Sequence, residues 1–95
     1  MSQGRQDLAV LIKSLQKAVE TFNKWMMGDL EMIVESIKGN TVKLLIRQNC
    51  ACSLDFSLKE EIENAFKTAG LKAKAEIQGW DVERSGYKAT VEIQD

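Results

Sequence analysis

The sequence predicts an α+β fold, a two-layer sandwich in the order α-β-β-α-β-β with two helices on one face of an antiparallel sheet. Three observations carry that expectation. Apolar residues recur every three or four positions in two stretches, and each stretch is closed by a glycine. In four other stretches they alternate with polar residues, grouped as two pairs separated by short turns. Elements that are apolar on one side only pack most simply as two layers around one core.

The first helix follows from Leu8, Leu11, Leu15, Ala18 with Val19, Phe22, and Trp25 with Met26, one helical face whose opposite side holds Lys13, Gln16, Lys17, Glu20, Asn23 and Lys24. Gly28 is placed to stop it. From Leu30 the period becomes two. Leu30, Met32 and Val34 point one way and Glu31, Ile33 and Glu35 the other, which reads as a strand. Lys38-Gly39-Asn40 supplies a turn, and Val42, Leu44 and Ile46 then alternate with Thr41, Lys43, Leu45 and Arg47 to complete a hairpin.

The second helix is announced by Ser57-Leu58-Lys59-Glu60, the spacing of a capping box. Leu58, Ile62, Ala65 with Phe66, and Ala69 form its buried stripe, and Gly70 closes it. Glu60, Glu61 and Glu63 suit its positive N-terminal end and read as a solvated helix start, not as paired acid and base. Leu71, Ala73, Ala75 and Ile77, then Tyr87, Ala89, Val91 and Ile93 across Arg84-Ser85-Gly86, predict a closing hairpin in which Trp80 and Tyr87 pair.

Residues 1–95 are expected to form a single domain, with 1–6 flexible. The chain carries 13 Lys and Arg against 14 Asp and Glu, a formal net charge of -1, and 44% apolar residues. With both signs interspersed, the clustered cations that nucleic-acid binding requires are missing. The longest apolar run, Leu8 to Ile12, is too short for a membrane span or a signal peptide, so no membrane partner and a cytoplasmic location are expected. Histidine is absent, which removes the usual general base and nitrogen ligand and points away from an enzyme.

The chemistry therefore narrows to two cysteines, Cys50 and Cys52, at a strand-to-helix junction. Positive charge at the start of the second helix favours thiolates there, and so metal binding, iron-sulfur binding or redox exchange. The plainer reading packs one of them as a small hydrophobe. A bridge between Cys50 and Cys52 is disfavoured, because one intervening residue leaves little freedom for closure. Two thiolates do not complete a four-ligand site, and a twofold homodimer would supply the rest.

Over residues 8–67 the chain resembles the C-terminal scaffold domain of NifU-type iron-sulfur assembly proteins. The resemblance rests on Gly28-Asp29, Glu31, Gly39-Asn40-Thr41-Val42-Lys43, a cysteine seven positions beyond Lys43, Leu58-Lys59 and Ile62-Glu63. It implies a cluster bound by Cys50 and Cys52 across a homodimer and passed to an acceptor protein. The motif here is Cys-x-Cys where the family has Cys-x-x-Cys, Met27 stands where a glycine is common, and two strands follow the second helix where the family needs one. In topology the hairpin, helix and hairpin also resemble 4-vinyl-reductase-type domains, which bind small apolar molecules.

The alternative is a non-catalytic module for a small apolar ligand or a partner protein, with the cysteines structural or incidental. Its site would lie in a pocket lined by Phe22, Trp25, Met26 and the second helix, or along an exposed edge strand.

Overall fold

The computed structural model describes residues 8–50 and 56–94. The elements follow in the expected order: α1 (Leu8–Met26), β1 (Leu30–Lys38), β2 (Thr41–Gln48), α2 (Leu58–Thr68), β3 (Lys72–Asp81) and β4 (Gly86–Gln94). The strands form one antiparallel sheet in the spatial order β1-β2-β4-β3. The second hairpin thus joins the first through its last strand, and β1 and β3 are the edges.

Both helices lie on one face, α1 packed against β1, α2 against β3, and each against the other. Between the layers Phe22, Ile62, Phe66, Met32, Ile46 and Val91 are sealed from solvent. Each such side chain contributes roughly 1.5–3 kcal/mol through burial.

Local chemistry sets the helix ends. The Ser57 side chain accepts the Glu60 amide at 3.3 Å, fulfilling the capping expectation for α2. At the other end Gly70 takes φ +88°, its amide bonds the Lys67 carbonyl at 2.9 Å, and the Leu71 amide bonds that of Phe66 at 2.9 Å. Those two bonds make a Schellman motif, and Leu71 and Phe66 are both buried beneath it. α1 ends one residue earlier than Gly28 implies. Met27 itself adopts φ 54° and donates to the Asn23 carbonyl, the position where glycine is usual.

Two bulges break the alternation that the sequence suggests. One falls between Val34 and Ser36, so that Val34 and Ile37 both pack toward the core although three positions apart. The other falls between Ile77 and Gly79 and brings Trp80 opposite Tyr87, where the rings meet edge-on at 4.8 Å. On the face away from the helices, Lys72, Lys74, Glu76, Lys88 and Glu92 are solvated, while Leu45 is buried. Arg84, in the β3–β4 turn, bonds Asp81 at 2.9 Å and Glu35 of β1, so this turn is tied to the opposite edge of the sheet across β2.

Candidate functional site

The end of β2 that leads to Cys50 is held by hydrogen bonds. The Gln48 amide bonds the Ser85 carbonyl at 2.9 Å, the Asn49 amide bonds that of Asp29 at 2.8 Å, and the Asn49 side chain donates to Gly28 at 3.1 Å. Gln48 Nε2 donates to the Cys50 carbonyl at 2.9 Å. Cys50 is half-buried and disulfide-bonded. This corrects the expectation that a bridge from Cys50 is disfavoured. Cys52 lies outside the described residues. Among the described residues no three or more Cys, Asp or Glu side chains are grouped so as to hold a metal ion.

A concavity among the described residues lies elsewhere. Ile12, Leu15 and Val19 of α1 face Val34 and Ile37 of β1 across an open groove of about 510 Å3, with Gln16 and Glu20 as its polar members. Positions 12, 15, 16, 19 and 20 are the i, i+3, i+4, i+7 and i+8 places of one helix flank. The groove exists because α1 carries an apolar stripe wider than its contact with the core, and because the β1 bulge turns Ile37 back toward α1. Phe22, Trp25 and Met26, expected to line a pocket together, are divided between core and solvent. Phe22 is wholly buried in the core, and Trp25 projects into solvent at 42% exposure.

That groove was legible only in part. The second stripe, Leu8, Ile12 and Val19, stands in the sequence beside the core stripe, but nothing local marks the bulge that completes the opposite wall. Leu8 at 61% and Ile12 at 39% exposure continue the apolar surface toward the start of α1.

Both sheet edges are guarded by a helix side chain. Asn23 Oδ1 accepts the Met32 amide of β1 at 2.7 Å, and Glu63 Oε2 accepts the Ala75 amide of β3 at 2.8 Å. Each amide belongs to an edge strand and points away from its single neighbour, so each guard occupies a donor that would otherwise be open to a further strand. Lys59 Nζ also bonds Glu63 Oε2, at 2.9 Å. The Ala75 amide, and after it the Lys59 side chain, hold the Glu63 carboxyl below its ordinary value against the opposing effect of burial, with Lys74 adding to the same direction.

Among the described residues no helix is long and apolar enough to cross a membrane. No family model matches the chain, and no curated protein matches it. A solved structure does share its fold: trafficking protein particle complex subunit 3 from Naegleria fowleri, covalently bound to palmitic acid, superposes with a TM-score of 0.52 at 10% identity. The match takes in 97% of this chain, which spans 66% of the length of that one. It overturns the resemblance to NifU-type iron-sulfur scaffolds and gives no support to the likeness to 4-vinyl-reductase-type domains. The scaffold resemblance was local, ended before β3, and left the second hairpin unexplained, whereas this likeness includes both hairpins.

Proposed function

We propose that this chain is a non-catalytic binding module that docks a partner protein, in the manner of a small subunit of a multi-protein assembly. The observation that carries the reading is the open groove between α1 and β1. Its aliphatic walls fit the apolar face of a helix, which presents anchors at i, i+3, i+4 and i+7, and Glu20 suits a cation on the rim of that helix. The guarded sheet edges favour this groove over strand addition as the route of docking. A fold in common with a subunit of a trafficking complex supports the same reading, and the cytoplasmic location expected from the sequence is retained with it.

The test is recovery of the complex from source cells with tagged chain, followed by binding of the purified partner to wild type and to Ile12→Glu. Ile12 is partly exposed, so the variant is expected to keep its melting temperature and to lose affinity about tenfold or more, in line with placing a charge in an apolar contact. Equal binding by the variant, or a chain recovered alone, refutes the reading.

A second reading is favoured by the palmitic acid on the structural neighbour: the same groove takes an aliphatic chain. No groove residue is a cysteine, so such binding would be non-covalent. Palmitate titrated into labelled protein is then expected to shift the methyl resonances of Ile12, Val19 and Val34, and unchanged spectra remove this reading.

A further inference from the structure

The two edge guards differ in chemistry. Asn23 of α1, which guards β1, does not titrate, whereas Glu63 of α2, which guards β3, does, and Glu63 Oε2 divides its acceptance between the Ala75 amide and Lys59 Nζ. Around Ala75 the β3 edge is self-complementary. An antiparallel copy centred on Ala75 would set Ala75 opposite its own counterpart, Ala73 opposite Ile77 and Lys74 opposite Glu76. Ala75 is a position whose amide points outward, so the two central residues would exchange both amide-to-carbonyl bonds. Lys74 and Glu76 are both exposed on the solvated face, and the pairing would place opposite charges across the new seam twice.

We infer that the β3 edge is a latent interface for a second copy of this chain, kept closed by the Glu63 carboxylate on the Ala75 amide. The occupant is a second copy because, in the antiparallel register centred on Ala75, the charges on this edge complement one another. The groups facing Glu63 are Lys59 from its own helix and Lys74 with the Ala75 amide from β3. Removing the acceptor frees that amide for the neighbouring chain. This surface is separate from the α1–β1 groove and stands independently of it.

Sedimentation of the full chain tests the idea. Wild type is expected to be monomeric through β3 at neutral pH, and Glu63→Ala to dimerise about tenfold more tightly or better, the scale of roughly one freed hydrogen bond. Adding Lys74→Glu sets like charges opposite each other and should dissolve that dimer, and adding Glu76→Lys as well should restore it. Circular dichroism checks that each variant is folded. A folded Glu63→Ala that sediments as wild type overturns the inference. So does a dimer that survives Lys74→Glu, or one that disappears in Ile12→Glu, because pairing would then lie elsewhere.

Discussion

Met27 carries a conformational cost that its side chain does not return. It sits at φ 54° at the end of α1 with 86% of its surface exposed, so the left-handed backbone is compensated by no packing. A non-glycine residue in that region costs about 1 kcal/mol or somewhat more. Met27→Gly is expected to stabilise the chain by up to about 1 kcal/mol in urea unfolding, less whatever the added unfolded-state freedom takes back. A variant that is equally stable or weaker places the strain elsewhere. Gly86 makes the opposite case. A Cβ there would lie 2.7 Å from the Ile46 carbonyl oxygen and 2.9 Å from Leu45 Cδ1. Because the nearer atom is backbone, Gly86→Ala should cost about 1–3 kcal/mol and loosen the β2–β4 pairing, read as faster amide exchange along β2.

At the scale of the element, what could be read from residues alone was whatever local chemistry specifies. Ser57 with Glu60 marked the start of α2, Gly70 its end, and alternation marked all four strands, because each signal is complete within a few residues. The β1 and β3 bulges escaped, since a bulge depends on which partner residue is opposite and no residue type at Glu35 or Gln78 announces it. The groove was hidden for the same reason: one wall is a helical periodicity, the other a product of register. The cysteine spacing was read as disfavouring a bridge, whereas Cys50 is disulfide-bonded. Ser57→Ala tests the local part. It removes the acceptor of the Glu60 amide and is expected to cost about 1 kcal/mol, with faster exchange of that amide. Unchanged exchange would show that the helix start is held by other means.

For the whole molecule, the layers are joined by polar contacts as well as by the core. Asn23 and Glu63 fasten the helical layer to opposite edges of the sheet, and Arg84 ties the β3–β4 turn back to β1. The Glu63 contact is strongest with an ionised carboxylate, so it gives the fold a pH dependence of definite sign. The folded carboxyl is held below its ordinary value of 4.5, so the native state favours the ionised form more strongly than the unfolded chain does. Its contribution is therefore fully present above that value and is lost as pH falls through the lower, folded one. Urea midpoints measured from neutral pH downward on dilute protein, where a second copy cannot mask the effect, should fall in that window. Glu63→Gln should flatten this part of the decline, because the amide can still accept from Ala75 but no longer titrates. An equally steep acid limb in Glu63→Gln would assign the loss to other carboxylates and leave the β3 guard without a role in holding the two layers together.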